Sequence, residues 1–358
     1  MKYGAFIKAF ARNLETISDL EDLGYDEIWF PDFQLLGGDP YVTIAVAAQR
    51  TRRIRFGVAV SNPVTRHASV IANAAATLNT HYPGRVSIGL GTGSAPLKAM
   101  GLPIATVGEL EAYANELRGL LRTLPAGHNP RWSFLAASNG ALSLDPPISV
   151  RIAAGGPKAL AVAGRVADDV IIGNVSPELV EVQTDVVRQA AAEVDRPAPS
   201  ISLLATLCID PPDELDDVID QVGAYVPNML LGNYQVALQH PDRMPAGLVE
   251  AFDRARAAAA NAQERSKSGT KSASEYETYL RGLPAWQREL VDWHAVRAKT
   301  LIGNEDEIAA QLERLGDIGV DRVVFFPNDQ RPDQLERFAR RFVAPKADSQ
   351  VINEEESQ

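Results

Sequence analysis

Short apolar runs with strand periodicity alternate with amphipathic helical stretches from the start of the chain, the strand coming first in each pair. Tyr3 to Ile7 reads as a strand, Leu14 to Leu23 as a helix closed by Gly24, and Glu27 to Phe30 as a second strand ended by Pro31. Pro40 to Gln49 (helix), Ile54 to Val60 (strand), Ser69 to Leu78 (alanine-rich helix) and Val86 to Leu90 (strand) repeat the unit. The first four strands start about 24 to 32 residues apart, the length of one βα unit. Glu109 to Leu121 is a further helix, and Thr123 to Asp145, rich in Pro, Gly, Ser and Asn, reads as a loop or small hairpin. Val150 to Ala154, Val170 to Gly173 and Ile201 to Ile209 are strands separated by the helices Ala159 to Ala167 and Leu179 to Glu193. Asp306 to Leu315 then leads to an eighth strand, Arg322 to Phe326. Eight such strands point to an α/β fold, a (β/α)8 TIM barrel, rather than an open doubly wound sheet.

Over 100 residues separate the seventh and eighth predicted strands, far more than one crossover helix needs. A helical insertion at about 233–298 is therefore expected, on the side of the barrel or over its mouth. It would contain an alanine-rich helix, Val249 to Arg265, a solvated linker, Ser266 to Ser274, and one or two helices within Tyr276 to Arg297. A rule of about 150 residues per domain would split 358 residues in two. The strand count instead favours a single barrel domain over 1–346, followed by a disordered acidic tail at 347–358.

Apolar residues make up 46% of the chain, enough for a large core and far from the composition of a disordered protein. The charge balance, 35 − 46 = −11, argues against nucleic acid or an anionic membrane surface as partner and leaves a small molecule as the expected one. No run approaches the roughly 18 apolar residues of a membrane helix, and the first residues lack a signal-peptide pattern. The single cysteine, Cys208, makes no internal disulfide and no multi-cysteine metal site, so a cytoplasmic location is expected.

In a barrel of this kind the reactive groups sit where strands end and loops begin. His67, His81, His128, His240 and His294 are scattered, with no strand-end pair two or four residues apart, which gives a histidine-based metal site little support. No Gly-x-Ser-x-Gly elbow and no Gly-Lys-Ser/Thr phosphate loop occurs. Ala154-Gly155-Gly156-Pro157-Lys158 follows the fifth strand and opens a helix. Helix-start amides, the absence of side chains at the glycines and the charge of Lys158 would make it a phosphate cradle; the plain alternative is a strand-to-helix turn with Pro at the first helical position. Gly89 to Ser94, with Gly91, Thr92 and Gly93 at its centre, is either a barrel turn or a place where a ring lies against backbone. Lys8 follows the first strand, Asp32 the second, and Ser61-Asn62-Pro63 the third. Lys8 and Asp32 are placed to pair across the mouth, as a structural ion pair or as the groups that hold a cofactor edge or pass a proton. Arg66-His67 is expected to cap the next helix or touch a ligand, the structural role being favoured.

The run from Gly57 to Gly93, containing Ser61-Asn62-Pro63, Thr65-Arg66-His67 and Tyr82-Pro83-Gly84-Arg85-Val86, resembles the luciferase-like flavin superfamily, in particular the branch that uses the deazaflavin coenzyme F420. Within that branch it is most similar to methylenetetrahydromethanopterin reductase-like enzymes, and the Tyr82 to Gly93 block is also similar to F420-dependent glucose-6-phosphate dehydrogenase. Ala153 to Leu160, Gly164 and Ala167 to Ile171 resemble the family's cofactor-phosphate loop and its helix; Leu301-Ile302-Gly303, Gly319-Val320-Asp321 and Phe325 resemble its closing helix and last strand. The resemblance implies a barrel mouth that holds F420, or alternatively FMN, in a homodimeric oxidoreductase. It implies a phosphate at Gly155 to Lys158 and a non-prolyl cis peptide at about Ala59-Val60 against the ring. Ser61, Asn62, Gly91, Thr92, Gly93, Ala154 and Gly173 would line the cofactor, with Asp32 and Lys8 as the catalytic pair. Phe33 stands where the family usually has His, and Ser94 where many F420 enzymes have an acid, so the proton relay of the known dehydrogenase does not carry over. The activity implied is hydride transfer between F420 and a small organic substrate. The alternatives are an FMNH2-dependent monooxygenase and a non-catalytic flavin-binding barrel.

Overall fold

The computed structural model describes residues 1–9, 13–34, 37–122, 141–267, 283, 285–326 and 331–343. The strands are β1 Lys2–Phe6, β2 Glu27–Phe30, β3 Arg55–Ser61, β4 Val86–Leu90, β5 Ser149–Ala153, β6 Asp169–Ile172, β7 Ser200–Ile209, β8 Thr300–Gly303 and β9 Arg322–Phe325. Strand and helix alternate as the periodicity predicts, and the fold is a (β/α)8 barrel with one strand beyond the eight. The predicted strands at Glu27 to Phe30 and Val86 to Leu90 coincide with the observed ones, and the others shift by a residue or so. Local chemistry sets the helix starts. Asp39 caps the helix Pro40–Gln49 by accepting from Tyr41 and Val42 N–H, and reciprocal capping boxes open Val107–Leu120 (Thr106 with Glu109) and Glu305–Ile318 (Asn304 with Glu307).

The chain forms two compact units. The first comprises Lys2–Ala153, Val166–Val170 and the segment from Glu336. Its strands lie parallel in the order β5-β4-β3-β2-β1, with Gly4 opposite Glu27, Glu27 opposite Arg55, and Ser87 opposite both Gly57 and Ser149. Trp29, Phe30, Phe56, Ile28 and Ile88 are fully buried. Among them lies a charged cluster. The Arg151 guanidinium meets Glu27 through Nη1 (2.8 Å) and Nη2 (2.9 Å), and its Nε lies 3.2 Å from the Asp169 carboxylate. Trp29 Nε1 donates to Glu27 at 2.8 Å, and the guanidinium stands 4.9 Å from the Trp29 ring centre. Arg151, Glu27 and Asp169 are 2%, 0% and 4% exposed. Gly57 leaves room for Trp29, since a Cβ there would come within 2.9 Å of the indole.

The second unit comprises Ala154–Arg165 and Ile171–Leu335. Here β7 serves two partners, pairing with β9 over Ser202 to Ala205 and with β8 over Thr206 to Ile209. Periodicity does not reveal β8. Its four residues are all buried and follow directly on the helix Trp293–Lys299, and a run this short does not separate strand from helix. Between β7 and β8 the chain also forms the helices Leu215–Val222, Val226–Gln239, Ala246–Lys267 and Ala285–Arg288. Helices therefore occupy this segment from Leu215 onward. Val226, Met229, Leu230, Asn233, Val236 and Ala237 form one buried helical face, and its polar member, Asn233, hides the pattern from a hydropathy reading. The helices Pro157–Val166 and Pro177–Ala192 touch at Gly164, where a Cβ would collide with the Val187 carbonyl.

The expected loop over 123–140, most of the linker at 266–274, the tail at 347–358 and His128 lie outside the described residues. Among the described residues no helix is long and apolar enough to cross a membrane.

Replacing Arg151 by Met is predicted to lower unfolding free energy by about 3–5 kcal/mol in urea denaturation, because two buried carboxylates, Glu27 and Asp169, lose the cation they share. A change below about 1 kcal/mol would show that the cluster does not hold the interior.

Candidate active site

In the first unit the ends of β2, β3 and β4 meet in one hydrogen-bonded arrangement. Both oxygens of Asp32, which is 3% exposed, are engaged. Oδ2 accepts from Arg66 Nε (2.7 Å) and Ser61 Oγ (2.6 Å), and Oδ1 from Arg66 Nη2 (3.0 Å) and Gln34 Nε2 (2.8 Å). Asp32 is thus met by a forked arginine contact, which fits a carboxylate better than a point-charged ammonium does. Lys8 is half-buried after β1, and its carbonyl accepts from the Asn13 side chain at 2.8 Å. Arg66 also pairs with Asp39 (2.7 Å), and the Asp32 hydrogen bond pushes its guanidinium above the usual arginine range. Burial alone would raise the Asp39 carboxyl, but Arg66 and the Val42 and Tyr41 amides outweigh it and hold Asp39 below the usual carboxylate range. Ser61 spends its hydrogen on Asp32, so the Tyr41 hydroxyl, 3.2 Å away, donates to it, and burial pushes the Tyr41 phenol upward. His67 takes the structural role expected of it, its Nδ1 accepting from Ser69 N–H at the helix start.

The Ala59–Val60 peptide is cis, at the position the resemblance implies, and the β3–β4 register shifts between Val58 and Ser61. Ala59 and Val60 are half-buried while Ser61 and Asn62 are fully enclosed. Gly91 N donates to the Ser61 carbonyl at 2.9 Å, and a Cβ on Gly91 would come within 2.8 Å of Val60. Gly93 has φ +80°, and a Cβ there would sit 2.7 Å from Leu97 and 2.8 Å from Asn62. Thr92 is held beside them, its carbonyl accepting from Ala105 N–H at 3.1 Å. Asn62 Oδ1 accepts from Val64 and Thr65 N–H at 3.0 Å each, while its Nδ2 is a buried donor with no hydrogen-bond partner. Of the predicted site residues, Asp32, Ala59, Val60, Ser61, Asn62, Gly91, Thr92 and Gly93 are therefore brought together.

In the second unit Ala154 to Lys158 forms the expected turn into the helix Pro157–Val166. The Gly156 carbonyl accepts from Leu160 N–H at 3.0 Å, which leaves the leading amides without intrahelical partners. The two glycines are not equivalent. A Cβ on Gly155 would meet Asn233 Oδ1 at 2.7 Å and the Gly232 carbonyl at 3.0 Å, whereas one on Gly156 would only touch Gln235 at 3.6 Å. Buried amides fix the turn from behind: Gln183 Nε2 donates to the Gly155 carbonyl (3.0 Å) and to Asn233 Oδ1 (2.7 Å), and Asn174 Nδ2 donates to Gln183 Oε1 (2.7 Å). Lys158 is exposed beside the turn.

Gly173, just after β6, meets a residue that sequence reasoning passed over. Lys299 is 3% exposed, and its Nζ donates to the Gly173 carbonyl at 3.0 Å and to the Leu204 carbonyl. It also lies 5.0 Å from the Phe326 ring centre, and Phe326 stacks on Tyr225 with ring centres 3.8 Å apart. Burial pushes the Lys299 amine down to about 7. No sequence signal marks it, because a lysine between a helix and an unrecognised strand reads as surface. Among the described residues no group of three or more His, Cys, Asp or Glu side chains is placed to hold a metal.

The sequence pattern of the luciferase-like monooxygenase family matches residues 2–322. This chain is a member of that family. Luciferase-like relatives include a 5,10-methylenetetrahydromethanopterin reductase from Methanolobus tindarius, 26% identical over 310 residues and covering 85% of this chain and 86% of the relative. An F420-dependent glucose-6-phosphate dehydrogenase from Beutenbergia cavernae is 31% identical over 219 residues, 56% of this chain and 65% of that one. Among solved structures, the coenzyme F420 dependent tetrahydromethanopterin reductase from Methanopyrus kandleri superposes with a TM-score of 0.68 at 20% identity, over 96% of this chain and 99% of that one. This luciferase-like chain shares their barrel fold.

The lowered Lys299 amine has a consequence for stability. The unfolded chain, with lysine near about 10.4, binds more protons than the folded one between that value and about 7. The contribution of this residue to stability therefore falls as pH drops through that window and is level below it. Urea denaturation at pH 7.5 and 9.5 is predicted to show a smaller difference in K299M than in the wild type; equal differences would place the amine in the ordinary range.

Proposed function

We propose that this chain is an oxidoreductase that binds coenzyme F420 and transfers hydride between it and a small organic substrate. The reading is carried by the Gly155-Gly156 turn, a backbone cradle at a helix start whose amides and adjacent Lys158 suit a phosphate on a protein of net charge −11. A second observation fits a planar polar ring: the buried, unpartnered Asn62 Nδ2 lies beside Gly91, Gly93 and the cis Ala59–Val60 segment. Asn62 would donate to the ring system, Ala59 and Val60 would back it, and Gly155 to Lys158 would hold the phosphate. Bound F420 would supply two-electron chemistry at its ring carbon.

The protein's own contribution is position and a fixed field. Asp32 serves as an acceptor hub that orients Ser61 and Arg66, and through Ser61 it sets the β3 end against Gly91. The relatives named for F420 support the cofactor. The family's own description as monooxygenases supports a second reading, in which FMNH2 and O2 are used.

Anaerobic fluorescence titration with F420 and with FMN separates the two readings. Tight F420 binding with little FMN binding is expected; tight FMN binding with O2 uptake by the reduced complex would replace the first reading by the second. The two glycines supply a sharper check. G156D introduces a carboxylate where a Cβ fits, and is predicted to weaken F420 binding at least about tenfold (about 1.4 kcal/mol) with little change in Tm. G155A forces a Cβ onto Asn233 and the Gly232 carbonyl, and is predicted to cost about 1–3 kcal/mol of stability. Unchanged F420 affinity in G156D would place the phosphate elsewhere.

A further inference from the structure

We propose that this chain pairs with a second copy of itself through the uncharged outer faces of the helices Pro40–Gln49 and Ala68–His81, and that the contact steadies the Asp32 arrangement. The two helices, of 10 and 14 residues, contain no Asp, Glu, Lys or Arg, in a chain of which 23% is charged. Their exposed positions recur at helical spacing: Val42, Val46 and Gln49 on the first, Val70, Asn73 and Thr77 on the second. The helix Pro177–Ala192, by contrast, exposes Glu181, Asp185 and Arg188, as a solvated face does. The helix Val226–Gln239 is also uncharged, and there the reason is visible, since Ala246–Lys267 lies along it. No described segment covers the outer face of the first two helices, where Val42 and Val70 are 63% and 53% exposed. Of the seven large apolar residues exposed among the described ones, six fall between Val42 and Ile104 in the first unit. Such residues are ordinary when scattered and mark a contact surface when grouped.

The two helices form one surface. Each returns from the end of one parallel strand to the start of the next, so they run in the same direction. The Asp39–Arg66 pair (2.7 Å) joins their starts, and Tyr82 Oη donates to the Ala45 carbonyl at 3.4 Å. Val42 N donates to Asp39 Oδ1 at 3.1 Å, and Val70 N to the His67 carbonyl at 3.0 Å. The exposed valines therefore group around the Asp39–Arg66 pair.

Charge decides the occupant. A chain of net charge −11 draws oppositely charged partners to its acidic surface, and this face offers them no counter-charge. A second copy laid on it about a two-fold axis brings up the same uncharged stripes, so no ionised side chain of either helix pair is desolvated. The acidic surface farther away is screened over a Debye length of about 8 Å. Depletion of charge is also what distinguishes the core of protein interfaces from other surface. The contact reaches the site through Asp39, which caps the first helix and pairs with Arg66, whose guanidinium holds both oxygens of Asp32. The Arg66 and Asp39 side chains are 18% and 39% exposed, so a covering copy removes water that screens their attraction.

The test is sedimentation velocity of the full chain over a range of concentrations at about 0.15 M salt. The wild type is expected to be a dimer. V46E/V70E and V46K/V70K, each folded by circular dichroism, are each expected to weaken self-association at least about 100-fold. Mixed together they are expected to pair one acidic with one basic copy, because every stripe then meets its opposite. V194E, which alters the seventh exposed residue, in the second unit, is expected to leave the dimer intact. Hydrogen exchange of the wild type, which needs no substitution, is expected to slow at 40–49 and 68–81 as concentration rises. A monomeric wild type, exchange at these helices that ignores concentration, or acidic and basic variants that stay apart on mixing would overturn the surface. The link to the site rests on the F420 reading above: monomeric V46E/V70E is expected to bind F420 at least about threefold more weakly than the wild type. Equal affinity would overturn the link, whereas a dimeric wild type that binds neither F420 nor FMN would overturn the cofactor reading alone.

Discussion

The buried contact between Arg151 and Glu27 spans the interior of the first unit, and the strand ends above it take their positions from it. In that sheet β5 and β2 are separated by β4 and β3, so the guanidinium reaches across the inner face rather than along a ladder. Burying three charges carries a large desolvation cost, offset by ion-pair contacts of Arg151 with both carboxylates and by the one Nη2 hydrogen bond to Glu27, while Nε and Nη1 make no hydrogen bond. Arginine presents a planar fork to Glu27, a further edge to Asp169 and a face to Trp29, and Trp29 donates to the same Glu27. An apolar residue of similar volume would fill the space without fixing the distance between β2 and β5. The register that places Asp32, Ser61 and Gly91 at neighbouring strand ends is the register of those strands.

The two sets of candidate residues, one in each unit, are built on different physical principles. Around Asp32 the organising force is charge: one carboxylate gathers Arg66, Ser61 and Gln34, and Arg66 carries the link onward to Asp39 and the next helix start. Around Gly155 it is neutral amide hydrogen bonding, with Asn174, Gln183 and Asn233 passing donors and acceptors along a buried line. The second arrangement adds no charge of its own behind the turn, so the helix-start amides and Lys158 set the local potential. That is how a strongly acidic chain would present the phosphate site proposed for this turn. Lys299 follows a third principle, a cation deprived of both water and counter-charge, for which the neutral form is the easier one to bury.

Much of the fold was legible in the sequence because its determinants are local. Strand and helix periods, Pro40 after Asp39, Gly24 and Gly319 at φ +94° and +93°, and the capping pairs each act within a few residues. The element missed, β8, is a run of four residues whose strand character comes only from pairing with β7. The helix Val226–Gln239 was hidden because its buried face includes Asn233, whose side chain is inside for the sake of Gln183 and Met229 rather than for hydrophobicity.

The candidate site divides along the same line. The glycine turns, the Ser61-Asn62 step and the cis peptide position are consecutive residues whose steric needs a sequence displays by itself: Gly91 because Val60 lies against it, Gly93 because of its positive φ. The sequence by itself therefore determined a βα-alternating barrel and where its strand-end loops fall. Only the tertiary structure decided the partners: Arg66 on Asp32, the amide line behind Gly155, and the burial of Lys299 between β6 and β7. Those choices depend on distances between segments tens to more than a hundred residues apart, and both charge pairing and desolvation are set by such distances rather than by sequence neighbours.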